Sequence, residues 1–297
     1  MQQGLTIQKQ LTGKSYIGRF QAMASDCEVL IDCDNGLLAK QMISAVFIEA
    51  KRIEKKFSRY LKGNIVDKIN NSDGEKICLD DETSLLVDFA YQCYQLSAGL
   101  FDVSSGVLRR VWRFDGSANI PLDTQIKTLL PLIGLDKLDW HSPYLTLPKG
   151  MELDFGGIGK EYAVDCCLAK ALQVNSEQPV LLNFGGDLIC NQARRNGNAW
   201  HVGIERVGGG EAALIKLKRG ALATSGDARR YLLKAGKRYS HILNPQTGYP
   251  IIDAPRSITV AAESCIEAGL LSTIAMLQGD QAKNFLVEQQ IQYWIQD

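Results

Sequence analysis

The second half of the chain turns on three glycine corners, and each carries a charged residue: Asp154-Phe155-Gly156-Gly157-Ile158-Gly159-Lys160, Asn183-Phe184-Gly185-Gly186-Asp187 and Ala223-Thr224-Ser225-Gly226-Asp227. Short apolar runs around them read as strands, at Tyr144-Leu145-Thr146-Leu147, Pro179-Val180-Leu181-Leu182-Asn183, Trp200-His201-Val202-Gly203-Ile204 and Ile258-Thr259-Val260-Ala261-Ala262. Helical spacing occupies Lys160 to Leu172 and Ile266 to Leu277. A doubly wound fold would alternate strand and helix regularly, and this chain does not. The pattern predicts an α+β protein, a mixed sheet with helices attached.

The first half is more helical. Glu28-Val29-Leu30-Ile31-Asp32 reads as a strand that ends in the turn Asp34-Asn35-Gly36. Met42, Val46, Ala50, Ile53 and Phe57 then recur every three or four residues, the signature of one long amphipathic helix. Leu85, Leu86, Phe89, Ala90 and Cys93 mark a second, which stops near Ser97-Ala98-Gly99. Phe101 to Gly106 is a loop, and Trp112 to His141 reads as an irregular excursion with one short helix at the periphery.

Charge narrows the function. Lysine plus arginine total 33 and aspartate plus glutamate total 33, with no long block of one sign. Such a chain has no electrostatic footprint for nucleic acid or an anionic membrane, which leaves a small ligand or a protein partner. No stretch approaches the roughly 20 apolar residues that span a bilayer, and Met1 to Lys14 lacks a signal-peptide core. The eight cysteines form no CxxC pair and several lie in apolar runs, as buried thiols do. A cytoplasmic location is the expectation.

The first corner suits a phosphate, because glycines admit close approach and the free amides of a helix start attract anions. It is neither the dinucleotide fingerprint nor a Walker loop, since Glu161 and Tyr162 follow Lys160. Taken singly, the first corner reads equally well as a structural turn, and the other two read better as strand-to-turn corners whose aspartate caps local amides. Three together read as a lined pocket. His241, before an Asn244-Pro245 turn closed by Gly248, is the histidine to test among the three in the chain. No Ser-His-Asp order or zinc spacing appears.

From Arg19 onward these segments resemble the ApbE family of flavin transferases. Phe20 to Ser25 is similar to its early Met-Gly-Thr segment, Phe57-Ser58-Arg59-Tyr60 to "FSxY", and Ala98 to Val103 to "GxFDxT". Leu153 to Asp165 is similar to "DLGGIAKGYAVD", Leu182 to Asp187 to "NxGGD", Ala223 to Asp227 to "ATSGD" and Ser240 to Pro250 to "SHIIDPxTGxP". The resemblance implies a T-fold-related, single ApbE-like domain over residues 19–297 behind an extension at 1–18. It also implies an activity: Mg²⁺-assisted transfer of FMN from FAD to a threonine or serine hydroxyl of an acceptor protein, with release of AMP.

Carried over by position, Met23, Leu100, Phe101, Asp102, Asp154 and Lys160 would line the FAD, with Ile242 and Leu243 beside them. The Gly157 carbonyl and Thr273 would face the metal, joined by Ser272, while His241 and Asp187 would be the catalytic candidates. Three positions depart from the family. Gly269 stands where the late helix "EADALATA" has its metal-binding aspartate, Glu161 where a glycine is usual, and Ala24 where the early motif has glycine. Loss of a carboxylate ligand should weaken Mg²⁺ binding, so Gly269→Asp is expected to restore it. A non-catalytic FAD-binding protein, or an FAD pyrophosphatase giving FMN and AMP, are the alternatives. The family is usually periplasmic, in contrast to the cytoplasmic expectation.

Overall fold

The computed structural model describes residues 4–10, 14–115, 119–227, 231–234, 236–251 and 253–297. Parts of the 1–18 extension and of the Trp112 to His141 excursion lie outside the described residues. The chain begins with strands β1 (Thr6–Lys9), β2 (Tyr16–Ala22) and β3 (Ser25–Ile31), then helix α1 (Gly36–Phe57). The Asn35 carboxamide caps α1 by accepting the Leu37 and Leu38 amides at 3.0 and 3.1 Å. There follow α2 (Ile65–Asn70), β4 (Lys76–Cys78), α3 (Asp81–Leu96) and a 3-10 stretch, Val103–Arg110. Next come α4 (Asp123–Leu129), β5 (Asp139–His141), β6 (Tyr144–Thr146), a 3-10 turn at Phe155–Gly157 and α5 (Gly159–Val174). The remainder comprises β7 (Val180–Phe184), β8 (Asp187–Cys190), β9 (Trp200–Glu205), β10 (Glu211–Leu217), β11 (Gly220–Gly226), β12 (Tyr231–Lys234), β13 (Lys237–Ser240) and β14 (Ser257–Ala262). Helices α6 (Cys265–Leu277) and α7 (Ala282–Glu288) precede the last strand, β15 (Gln292–Gln296).

Eight strands form one sheet in the order β1-β2-β3-β7-β8-β11-β14-β15. The α+β class holds, but the expected mixed sheet is antiparallel at every described pairing. The physical reason is that two-residue turns join β2 to β3 and β7 to β8, and the longer connections also return the chain in the opposite direction. One face of the sheet, with Leu182, Phe184, Ala221, Ala223 and Val260, packs on α1, α5 and α6. The other, with Leu181, Leu188 and Leu222, is covered by Trp200 and Val202 of the β9–β10 hairpin.

A second core joins the end of α1, the helix α3, the three-stranded sheet β4-β6-β5 and the Phe155 turn. Asp165 of α5 clasps α6 to it, accepting the Cys265 and Ile266 amides at 2.9 Å each. The excursion is irregular, as its sequence predicts, but it is not peripheral. Trp112 is 2% exposed among Leu108, Ile126 and Leu129, and its indole donates to the Gly248 carbonyl at 2.8 Å. An indole large enough to cover that loop is driven inside by its own apolar area once its N–H has a partner.

The β2–β3 turn sits at the seam between the two cores. Met23 and Ala24 have φ of 51° and 55°, the pairing of left-handed residues that a tight hairpin turn demands. The Met23 amide donates to Glu54 on α1 at 2.6 Å. A Cβ in this conformation costs on the order of 1 kcal/mol, so Ala24→Gly is expected to raise stability by about that amount. Urea denaturation of the two proteins checks it: the midpoint of the variant should be higher at unchanged slope.

Candidate functional site

All three glycine corners meet. Lys160, on the first turn of α5, forms an ion pair with Asp187 at the start of β8. Asp187 is 1% exposed, and its other oxygen accepts the Thr224 amide of the third corner at 3.2 Å. Alternation along β8 turns Asp187 toward the helices and Leu188 toward the opposite core. Asp187, a catalytic candidate from sequence, is thus held on the helix-facing side of the sheet. Its carboxylate is buried and engaged on both oxygens, by the Lys160 ammonium and the Thr224 amide. The ammonium has three donors, which leaves two beyond Asp187 for a ligand.

Next to this pair lies a cluster of hydroxyls. Ser225 of β11 is 2.9 Å from Ser272 and 2.8 Å from Thr273 of α6, and Ser272 also donates to the Gly269 carbonyl at 3.0 Å. Ser225 was not singled out in the sequence beyond its "ATSGD" segment; the signal is its alternation with Ala223, which places both on the helix-facing side. The Phe155–Gly157 turn lies against α6. At Gly157 a Cβ would stand 3.2 Å from the Phe101 ring, so the ring closes over bare backbone.

Asp154 starts that turn, accepting the Gly156 amide at 3.0 Å and pairing with Arg59. The Arg59 Nε and Nη2 atoms are buried without a hydrogen-bond partner among the described residues. Arg59 was legible only as the variable position of the "FSxY" match. Asp102, expected from the resemblance at the FAD, is tied to its own loop. One carboxylate oxygen accepts the Ser104 amide and hydroxyl at 2.7 and 2.6 Å, and the other accepts the Leu135 amide at 3.2 Å. Burial pushes its carboxyl up, and its bonds fasten the loop that carries Leu100 and Phe101.

Met23 and Ile242 each pack against both cores, so they mark the seam, while Leu243 belongs with the Trp112 cluster. The Ser240 hydroxyl accepts the Ile242 amide at 3.1 Å and Gln246 reaches the Ala98 carbonyl at 3.1 Å. The first bond shapes the His241 loop and the second ties it to the loop before Phe101. His241 itself sits edge-on to Phe114, 6.2 Å between ring centroids.

Gly269 corrects the remedy drawn from sequence. A Cβ there would lie 2.5 Å from Cγ of Glu161, so Gly269→Asp meets a steric clash and a second carboxylate rather than a vacancy. Burial pushes the Glu161 carboxyl up, countered by the Lys160 ammonium, and its Oε2 has no hydrogen-bond partner among the described residues. No group of three His, Cys, Asp or Glu gathers as a metal cluster among the described residues. A hard cation here would depend on one carboxylate with hydroxyl and carbonyl oxygens, a donor set of the kind Mg²⁺ accepts with retained water.

A cleft of about 1340 Å³ runs over the opposite face of the sheet, past Leu181, Leu222, Thr224 and His201. None of the expected site residues lines it. Two of the corners border it all the same, through Gly185, Gly186, Thr224 and Gly226.

The FAD:protein FMN transferase of Vibrio cholerae is 28% identical over 240 residues, 78% of this chain and 71% of that protein. The Haemophilus influenzae protein of the same name is 29% identical over 244 residues, 77% and 70% of the two chains. Among solved structures, the ApbE protein from Thermotoga maritima is similar with a TM-score of 0.87 at 29% identity, over 95% of this chain and 94% of that one. The flavin transferase ApbE from Vibrio cholerae shares the fold with a TM-score of 0.83 at 24% identity, over 95% and 93%. The ApbE family model matches residues 23–295, and with the corner motifs converging as described, the chain belongs to the ApbE family.

Proposed function

We propose that the chain is an FAD:protein FMN transferase that passes FMN from FAD to a threonine or serine hydroxyl of an acceptor protein. The observation that carries this reading is the meeting of the three glycine corners at Lys160, Asp187 and Thr224, beside the Ser225, Ser272 and Thr273 hydroxyls. It supplies a cation, free backbone and oxygen ligands around one point, as a bound pyrophosphate requires.

In this reading Met23, Leu100, Phe101, Ile242 and Leu243 hold the flavin and nucleotide faces, while Lys160, fixed by Asp187, bonds the phosphate oxygens. Asp154 and Asp102 keep the two walls in place. His241 flanks the pyrophosphate in a supporting role. The acceptor oxygen bonds to the phosphorus on the FMN side, and the bond from that phosphorus to the bridging oxygen breaks. AMP leaves with that oxygen, and the hydroxyl proton passes to the departing phosphate or to water. Mg²⁺ bound among Thr273, Ser272 and the Gly157 carbonyl would screen the charge that builds on the phosphates. The chain's eight cysteines are all free thiols, which suits the reducing cytoplasm as its place of work.

Incubation with FAD, Mg²⁺ and a candidate acceptor protein tests the proposal. Equal amounts of AMP and acceptor-bound flavin are expected. AMP with unlabelled acceptor would assign FAD hydrolysis instead, and bound FAD with neither product would assign a carrier.

A further inference from the structure

We propose that Glu161 is the carboxylate ligand of the cation site, having exchanged places with the residue at 269. This inference rests on the Mg²⁺-assisted reading above and adds to it a ligand from a different helix.

The two positions share one volume. A Cβ at Gly269 would lie 2.5 Å from Cγ, 3.0 Å from Cδ and 3.2 Å from Oε1 of Glu161. Real Cβ atoms do not approach another carbon to 2.5 Å, so a side chain at 269 would displace the one that Glu161 holds there. Here it stands at 161, on the first turn of α5, and α6 offers bare backbone opposite. The departures at 161 and 269 from the family pattern are thus a single change. One carboxylate is removed from α6 and one is added on α5, and the extra methylene of glutamate over aspartate helps it reach across.

The carboxylate is also short of a partner. Glu161 is 9% exposed and its Oε2 is buried with no hydrogen bond among the described residues. A desolvated carboxylate oxygen left unpaired is unfavourable, and the adjacent cation on its own helix, Lys160, is bound to Asp187. Oxygen donors lie on and beside the helix it faces. Ser272 bonds the Gly269 carbonyl itself at 3.0 Å, and Ser225 and Thr273 are one hydrogen bond further on. A divalent cation would satisfy the orphaned oxygen and the hydroxyl cluster together.

The test uses Mn²⁺ as the probe and reads binding, not turnover. Loss of the free Mn²⁺ resonance on titration with the whole chain, in the presence of FAD, gives the affinity, and a thermal melt of each variant reports its folding. Wild type is expected to take up one Mn²⁺. Glu161→Gln keeps the shape and should weaken binding roughly tenfold or more, as loss of a ligand or its support commonly does. Gly269→Asp should also weaken binding and melt earlier, while Glu161→Gly with Gly269→Asp should recover affinity toward wild type. Mn²⁺ affinity unchanged in Glu161→Gln would overturn the exchange alone. No uptake by the wild type, with or without FAD, would overturn the metal-assisted reading and the exchange with it.

Discussion

Replacing Lys160 by methionine is expected to destabilise the fold by about 3 to 5 kcal/mol, the usual cost of leaving a buried charge without its partner. Asp187 is 1% exposed, and without the ammonium only the Thr224 amide remains on its carboxylate. The double variant Lys160→Met with Asp187→Asn should recover most of that loss. It removes the buried charge and keeps an acceptor for the Thr224 amide, and neutral replacements of buried pairs are commonly tolerated. Urea denaturation of the three proteins measures the effect. Equal midpoints for wild type and Lys160→Met would show that the pair does not hold the corners together.

A comparable loss is expected from Asp165→Ala. Asp165 accepts the first two amides of α6 at 2.9 Å each, and the helix gives up both bonds when the carboxylate is removed. Hydrogen bonds to a charged acceptor and helix-capping contacts together make the expected loss about 2 to 3 kcal/mol. Asp165→Asn retains one acceptor and should lose less. The consequence is local as well as global, because this clasp sets where Gly269 stands against Glu161. Hydrogen exchange should therefore show α6 opening before the sheet in the alanine variant, and uniform protection across both would contradict that role.

Much of the architecture was readable along the chain because it is written in local periodicity. The apolar spacing from Met42 to Phe57 lies within α1, and Lys160 to Leu172 within α5. Strands with β-branched alternation were equally legible, such as β9 and β14. β11 was not, since Gly220 to Gly226 contains small residues and becomes a strand through its neighbours β8 and β14. The direction of the sheet was also hidden, because pairing between distant segments has no local signature. At the site the motif order supplied the residues but not their duties. Asp102 and Asp187 read as ligand-facing acids, and only their hydrogen bonds show them holding a loop and a lysine. Glu161 and Gly269 read as two unrelated departures because their contact crosses between helices far apart in sequence.

FAD titration tests the central claim most directly, comparing the wild type with Lys160→Met/Asp187→Asn, each with and without Mg²⁺. The wild type should bind one FAD per chain, more tightly with Mg²⁺, and the double variant should lose roughly tenfold or more while remaining folded. Equal affinity in the two proteins would place the nucleotide elsewhere and contradict the account.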